Sequence, residues 1–356
     1  MYQKGLKDIV AVHTHIASVD GEVGELRYRG VKVDELVTTR TFEEVANFLW
    51  SGEQSKNEGN SLNKYRELPN HVNVIIDSLP KGVSLMDAMR TAISSYAHED
   101  FKEKTIEEQA VILTAALPII VARHYRNQQS LPIVESREDL SHTANYLWML
   151  NGEVPSDVQV EALESYLKLT MEHGLNASTF AARVTISTES DLTSAVTSAL
   201  GTMKGPLHGG APSGVISLLN EMKDPSMIRT IIENKMENGE KIMGFGHRIY
   251  KTEDPRSILL REKCLSLQGK DPWLDIATIA EKEIIDLLAK HKPGRKLYTN
   301  VEYYAAAIMR SIDMPAELFT PTFSIARMVG WTAHAIEQTR DNTLFRPQSI
   351  YVGELK

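Results

Sequence analysis

Most of the chain repeats apolar positions with the 3.6-residue period of amphipathic helices. The clearest series predicts a helix that follows Pro272 and ends before residues 292–294, with one apolar face made of Ile276, Ile279, Ala280, Ile284, Leu287 and Leu288. Three candidate capping boxes predict helix starts at Thr41, Ser84 and Thr105, because an acidic residue follows each hydroxyl three positions later. Residues 151–155 form a break between two helical stretches. The pattern therefore predicts a mainly α protein.

Strand signals are few. Residues 16–28 alternate apolar and polar positions around Asp20-Gly21, which predicts a small hairpin near the N-terminus. The longest apolar stretch, residues 111–122, is interrupted by Thr114 and Pro118. A bilayer span needs roughly 20 apolar residues, so this stretch predicts a buried helix. Because the start of the chain has no apolar run typical of a signal peptide, we expect a cytoplasmic protein.

Composition narrows the classes of function. The 356 residues are 42% hydrophobic and 24% charged, which fits one large domain or two domains with a sizeable core. A net charge of −8 argues against general nucleic-acid binding, but a local arginine cluster could still bind a small anion. The single cysteine, Cys264, excludes an internal disulfide. His13 and His15 are the only closely spaced histidines, expected on one strand face, and we expect no metal centre.

Two histidines lie in short segments rich in glycine and small polar residues. His173 begins the run His-Gly-Leu-Asn-Ala-Ser-Thr, and His208 lies within Gly-Pro-Leu-His-Gly-Gly. Glycines beside His208 would allow the backbone to approach a ligand closely. The alternative is a half-buried histidine in the turn that starts a helix.

A third segment carries His247 in a Gly-Phe-Gly-His bend, and Arg256 follows a proline nine residues later. The bend offers backbone donors and a titratable ring, and the guanidinium fork suits a carboxylate. A surface turn with scattered charges is the alternative interpretation.

The remaining candidates are single charges in apolar surroundings. Glu302 is the only charge between Lys296 and Arg310. It is either a half-buried base with a raised pKa or a residue on the solvent side of a helix, and the residues alone favour the solvent side. Arg327 lies in an apolar helical stretch, where an unpaired guanidinium would be costly, and Arg346 lies near the C-terminus. A structural ion pair is the ordinary role of such arginines.

Together, the order and spacing of these segments resemble the citrate synthase family over nearly the whole chain. The resemblance implies a two-domain helical fold with a small N-terminal β-hairpin. Residues 1–210 and 317–356 would form a large, dimer-forming domain. Residues 211–316 would form a small domain that binds coenzyme A and closes over the site.

The resemblance also implies a transferase of the tricarboxylic acid cycle, which condenses acetyl-CoA with oxaloacetate to citrate and CoA through an enolate and citryl-CoA. No cofactor would be bound permanently, because CoA is a co-substrate. The implied catalytic residues are His208, His247 and Glu302. The implied oxaloacetate-binding residues are His173, His247, Arg256, Arg327 and, from the partner subunit of a homodimer, Arg346. The implied coenzyme A loop consists of Lys241, Ile242, Met243, Gly244 and Phe245.

Two segments depart from the family pattern. The base segment is Thr-Asn-Val-Glu, ending at Glu302, where the family has Pro-Asn-Val-Asp, and the loop after His208 continues with Ala-Pro-Ser at residues 211–213 in place of Ala-Asn-Glu. Both departures resemble a minor, low-activity branch of bacterial citrate synthases. Two alternatives stay open. One is 2-methylcitrate synthase, since a single methylene is worth only about 1–3 kcal/mol of discrimination. The other is a weakly active paralogue that binds CoA or a dicarboxylate and has a regulatory role.

Overall fold

The computed structural model describes residues 2–6, 8–52, 61–209, 211–247, 249–266, 272–292 and 297–354, and for residues 61, 211–213 and 272 it describes the backbone. Within these ranges the helices are α1 (Val33–Thr39), α2 (Phe42–Ser51), α3 (Asn70–Ser78), α4 (Leu85–Ser94), α5 (Glu99–Lys102), α6 (Ile106–Gln128), α7 (His142–Asn151), α8 (Asp157–Thr170), α9 (Ala177–Ile186), α10 (Leu192–Met203), α11 (Ala211–Glu221), α12 (Ile228–Glu237), α13 (Pro255–Ser266), α14 (Pro272–His291), α15 (Val301–Ser311) and α16 (Phe319–Arg340). The prediction of a mainly α protein is confirmed.

One small antiparallel sheet precedes the helices. It consists of β1 (Ala17–Asp20), β2 (Glu25–Tyr28) and β3 (Val31–Lys32), in that order. Ala17 pairs with Tyr28, which confirms the predicted hairpin, while the pattern did not indicate the two-residue third strand. The turn is residues 21–24, and Asp20 Oδ1 accepts hydrogen bonds from two of its backbone amides.

His13 and His15 precede β1 in irregular backbone, so the expectation that they share a strand face is wrong. Strand pairing begins only at Ala17, because β2 provides partners for residues 17–20 alone. Across the described part of the chain, no group of three or more His, Cys, Asp or Glu side chains is placed to hold a metal ion.

The predicted helix starts are confirmed, two of them with complete capping boxes. At Thr41 and at Thr105, the hydroxyl accepts from the amide three residues on, and the glutamate there accepts from the amide of the threonine. Ser84 caps α4, but Asp87 bonds the Ser84 hydroxyl and not its amide. The complete box expected there is therefore wrong. The Asp87 side chain is one methylene shorter than the glutamate of the other two boxes, and Lys204 also holds it.

Helix α14 forms as predicted, but its buried face is turned from the predicted one. Ile279 is 50% exposed, and Ile276 is only half-buried. The fully buried positions are Leu274, Ala277, Ala280, Ile284, Leu287 and Leu288. Neighbouring helices α12 and α15 select this face, which the apolar pattern alone could not distinguish from its neighbour. Residues 293–294 of the predicted stop lie outside the described residues.

Helix α16 is the centre of the larger helical layer. It packs against α2, α4, α6, α8, α9 and α10, and almost every side chain from Phe319 to Ile336 is buried. A helix surrounded on all sides is expected to be apolar all round. Residues 111–122 lie buried inside α6, as predicted. In the described ranges, no helix has the length and apolar character needed to cross a membrane.

Helices α11 to α15 pack mainly on one another and form a second helical layer. Helices α13 and α15 also contact α8 of the larger layer. Apart from Arg327 and Arg346, the candidate site residues lie on loops and helix starts near the contacts between the two layers. The division of the chain at residues 210 and 317 stays a prediction.

Candidate active site

Five distant segments bring the candidate residues together. His173 lies in the loop between α8 and α9, and His208 lies in the turn before α11. His247 and Arg256 flank the loop that enters α13. Glu302 is in the first turn of α15, and Arg327 is in the middle of α16, the central buried helix. The rings of His173 and His247 have centroids 5.6 Å apart.

Hydrogen bonds determine which nitrogen of His247 carries the proton. His247 Nδ1 accepts from the backbone amides of Ile249 at 3.0 Å and Tyr250 at 3.1 Å. The proton of the neutral ring is therefore on Nε2. Nε2 lies 3.3 Å from Arg256 Nη2, so two donor nitrogens lie side by side. Burial and the charge of Arg256 lower the pKa of His247 to about 4, which keeps the ring neutral at pH 7.

Asp254 links the His247 loop to α15. Its carboxylate accepts from Arg256 Nε at 3.0 Å, from Arg256 Nη2 at 2.8 Å and from the amide of Val301 at 3.1 Å. Burial favours a higher pKa, but the Arg256 charge and hydrogen bonds hold the pKa of Asp254 below its usual range. The sequence reasoning missed this residue. Its position directly before Pro255 and Arg256 was the available signal.

His173 is buried against the same loop. Its Nε2 lies 3.1 Å from the hydroxyl of Tyr250, another residue that the sequence reasoning missed. Burial, with the charges of Arg256 and Arg327, holds the pKa of His173 well below its usual value. The ring is therefore a neutral hydrogen-bonding group beside two guanidinium groups.

His208 is held by the first turn of α9. The backbone amide of Ser178 donates to His208 Nε2 at 3.3 Å, and the Ser178 hydroxyl is 2.8 Å from the same atom. Nε2 is thus an acceptor, and the ring proton on Nδ1 is available to a ligand. Burial and the charge of Arg327 lower the pKa of His208 to about 4. His208 is therefore a half-buried histidine in the turn before a helix, as the alternative interpretation had it, and its Nδ1 proton is still available to a ligand.

At Gly209, beside His208, the backbone approaches other protein backbone closely and not a ligand. A Cβ on Gly209 would lie 2.3 Å from the carbonyl oxygen of Met203, so protein backbone occupies that space. This corrects the expectation for Gly209. Gly210 lies outside the described residues.

Glu302 is half-buried at the start of its helix, so the solvent-side interpretation is wrong and the half-buried one fits. Asn300 caps α15, and its Oδ1 accepts from the amide of Glu302 at 3.1 Å. Burial raises the pKa of Glu302 to about 7. The charges of Arg256 and Arg327 oppose this rise, and Asp254 adds to it. A carboxyl with a pKa near the working pH suits a general base. Periodicity could not reveal this burial, because Asp254 and Arg256 reach α15 only through the tertiary fold.

Arg327 has no ion-pair partner among the described residues, so the structural ion pair expected for it is wrong. Its side chain is 3% exposed, and Nε and Nη1 lack hydrogen-bond partners within the described chain. Cζ lies 5.0 Å from the Phe323 ring centroid. Burial lowers the pKa of Arg327, and the charge of Glu172 partly offsets this. A buried guanidinium with free donors is costly unless an anion completes it.

The predicted coenzyme A loop runs beside the start of α15. Gly244 has φ 86°, and its carbonyl accepts from the amide of Asn300 at 2.9 Å. A Cβ there would lie 2.9 Å from the Tyr303 ring. Ile242 and Phe245 are buried, whereas Lys241 is exposed. The loop is therefore fixed to the segment that holds Glu302.

Arg346 is not brought into this group. It lies exposed in the irregular segment that follows α16. The role expected for it in a partner subunit's site stays a prediction.

Comparisons with known proteins identify the family. A family model described as "Citrate synthase, C-terminal domain" matches residues 5–348. The chain is 36% identical to a citrate synthase of Haloferax volcanii over 99% of this chain and 96% of that protein. It is 37% identical to a 2-methylcitrate synthase of Mycobacterium tuberculosis over 99% and 90%.

Solved structures give the same result. The citrate synthase of Thermotoga maritima superposes with a TM-score of 0.89 at 37% identity, covering 100% of this chain and 97% of that one. The citrate synthase of Thermoplasma acidophilum, solved with carboxymethyl coenzyme A and oxaloacetate, gives 0.91 at 28% identity, covering 100% and 97%. The chain belongs to the citrate synthase family. It is an acyltransferase of the citrate synthase type.

Proposed function

We propose that the protein condenses acetyl-CoA with oxaloacetate to give citrate and CoA. The observation that carries this proposal is the pairing of opposite chemistries in two groups close enough to interact electrostatically. Glu302 is a carboxyl whose pKa is raised to about 7, and Arg327 is a buried guanidinium with unused donors. The first suits proton abstraction from a weak carbon acid, and the second suits a carboxylate substrate.

Oxaloacetate is held by Arg256, Arg327, His173 and His247. Arginine forks match the planar carboxylates of a diacid, and orientation of this kind can supply several kcal/mol of the barrier. The paired donors His247 Nε2 and Arg256 Nη2, 3.3 Å apart, would meet one substrate oxygen. Asp254 positions Arg256 and leaves its charge largely compensated until substrate arrives.

Chemistry begins at the methyl group of acetyl-CoA. Glu302 removes a methyl proton, and the Nδ1–H of His208 donates to the thioester oxygen as the enolate forms. The methyl carbon then bonds to the keto carbon of oxaloacetate, whose oxygen accepts a hydrogen bond from His247 Nε2 as charge develops and ends as a hydroxyl with the proton that Glu302 removed. Water finally cleaves the thioester of citryl-CoA, and CoA leaves as the thiol. Neutral histidines suit both donor roles, since the pKa values of His208 and His247 are lowered to about 4.

Two domains provide the exclusion of water that an enolate needs. His173, His208 and Arg327 lie in the proposed large domain, residues 1–210 and 317–356. His247, Arg256 and Glu302 lie in the proposed small domain, residues 211–316, with the CoA loop at residues 241–245. Closure of one domain on the other would complete the site and expel water.

The protein would act as a cytoplasmic homodimer in which Arg346 enters the partner's site. The segment that carries it exposes Ile350, Tyr351 and Val352, the last at 92%. Neighbouring exposed apolar side chains of this kind support packing against another copy of the chain.

A 2-methylcitrate synthase activity with propionyl-CoA is the second candidate, supported by the Mycobacterium tuberculosis relative. Steady-state kinetics with acetyl-CoA and propionyl-CoA, side by side, distinguish the two. We expect kcat/KM to favour acetyl-CoA by about 10-fold or more, within the range that one methylene provides. A reversed preference would assign the second activity. If the protein binds oxaloacetate and CoA but turns over neither thioester, the remaining alternative is the paralogue with a regulatory role.

A further inference from the structure

The turn of the N-terminal hairpin, residues 21–24, touches the loop that precedes α13. The amide of Lys251 donates to the carbonyl of Gly21 at 2.8 Å. The Lys251 ammonium and the Glu22 carboxylate form an ion pair at the same place. More than 200 residues separate the turn from the loop, and the contact joins the two proposed domains.

Both glycines of this turn lie so close to the loop that neither leaves room for a side chain. A Cβ on Gly21 would lie 2.2 Å from the carbonyl oxygen of Ile249, although the backbone of Gly21 is one that other residues adopt. A Cβ on Gly24, at φ 71°, would lie 2.4 Å from Thr252 Oγ1 and 2.9 Å from the carbonyl oxygen of Glu253. Since most of these atoms are backbone, a side chain could fit only if the loop moved by roughly 1 Å.

The loop residues that meet the turn hold the oxaloacetate-binding groups or directly precede the residues that do. The amides of Ile249 and Tyr250 orient His247 through Nδ1. Glu253 directly precedes Asp254, which holds Arg256. Displacement of the loop at Ile249 or at Glu253 would therefore reach the two neighbouring donors, His247 Nε2 and Arg256 Nη2.

We infer that the hairpin turn is a positioning element of the site, and that Gly21 and Gly24 act as positioning residues through their close contact with the loop at residues 249–253. The inference rests on the proposed function. It adds that an element of the large domain sets the position of oxaloacetate-binding groups of the small domain.

Two matched pairs of variants test it. Gly21→Ala is compared with Gly82→Ala, an exposed turn glycine whose Cβ would meet nothing within 4 Å. Gly24→Asn is compared with Gly30→Asn, at φ 83° and also without neighbours within 4 Å. The two variants of a pair carry the same substitution, so they change the conformational entropy of the unfolded chain equally. They differ only in whether the new side chain meets the loop. Steady-state kinetics give KM for oxaloacetate, KM for acetyl-CoA and kcat, and circular dichroism checks folding.

We expect Gly21→Ala and Gly24→Asn to raise KM for oxaloacetate and to lower kcat/KM for it by about 10- to 100-fold, the effect of a misplacement of roughly 1 Å. KM for acetyl-CoA and both control variants should stay within about twofold of the unchanged protein. General destabilisation would reduce the active fraction and leave KM unchanged.

Equal oxaloacetate KM values in each pair overturn the inference. If Gly21→Ala does not fold, the Gly24→Asn pair decides in the same way. If the unchanged protein itself makes no product from either thioester, the proposed function fails, and the inference fails with it. If the unchanged protein is active and the variants keep its KM for oxaloacetate, the inference alone fails and the proposed function stands.

Discussion

Glu302→Gln should make the protein more stable at neutral pH while removing its base. The structure raises the pKa of the Glu302 carboxyl from 4.5 to about 7, mainly through burial. The native state therefore holds this proton more tightly than the unfolded chain does. Its free energy of unfolding must fall as pH rises from 4.5 to 7, because the half-buried carboxylate becomes charged. Glutamine keeps the shape and has no such transition.

The size of the effect follows from the same pKa. Each pKa unit corresponds to about 1.4 kcal/mol, so the wild-type protein should lose about 3 kcal/mol relative to Glu302→Gln across this range. The difference should be near zero at pH 4.5 and complete above pH 7. Such a cost is expected at a site that gives up stability for function.

Urea unfolding at pH 5, 6, 7 and 8 measures this difference, with the protein concentration fixed because any self-association would shift the apparent stability. Glu237→Gln, an exposed carboxyl at the end of α12, is the matched control and should follow the wild type at every pH. Parallel curves for wild type and Glu302→Gln would refute the reasoning. They would mean that Glu302 ionises in the native state as it does in the unfolded chain.

Four further predictions concern activity. In pH profiles, kcat/KM should rise with pH through an apparent pKa of about 7, as Glu302 loses its proton, and Glu302→Asp should hold or raise turnover; a flat acid limb would contradict the base assignment. Arg327→Met should raise KM for oxaloacetate by about 100-fold in kinetics and raise the free energy of unfolding in urea, since a buried guanidinium without a partner is removed; unchanged KM would exclude Arg327 from the site. His208→Gln should lower kcat by about 10²-fold or more, with oxaloacetate affinity by calorimetry unchanged. Arg346→Ala and Arg256→Ala proteins should each be inactive and regain activity when subunits exchange; no recovery after proven exchange would rule out a shared site.

Local chemistry made much of the fold predictable. Thr41 and Thr105 cap their helices because the groups that bond lie three residues apart. At the break at residues 151–155, Gly152 in the left-handed conformation caps the end of α7. The buried face of a helix was harder to predict where a helix distant in the sequence packs on it. Ile279 fits the apolar period of α14 as well as Ala277 does, and only the packing of α12 and α15 selects between them.

The candidate site shows the same limit. Segment chemistry and family resemblance identified the histidines and arginines, and five distant segments bring most of them together. The environment of Glu302 could not be predicted, because its raised pKa depends on burial beside Asp254 and two arginines. Asp254 itself was missed, since its bonds to Arg256 and to the amide of Val301 arise only in the folded chain.

The most direct test of the account measures turnover and binding on the same two proteins. Release of the CoA thiol from acetyl-CoA and oxaloacetate gives kcat, and calorimetry gives Kd for oxaloacetate. We expect the wild-type protein to form citrate, and Glu302→Gln to turn over about 10²-fold more slowly or worse with the same Kd, since the amide keeps the shape and loses the base. Near-normal turnover by Glu302→Gln would contradict the account, because Glu302 would then not be the base.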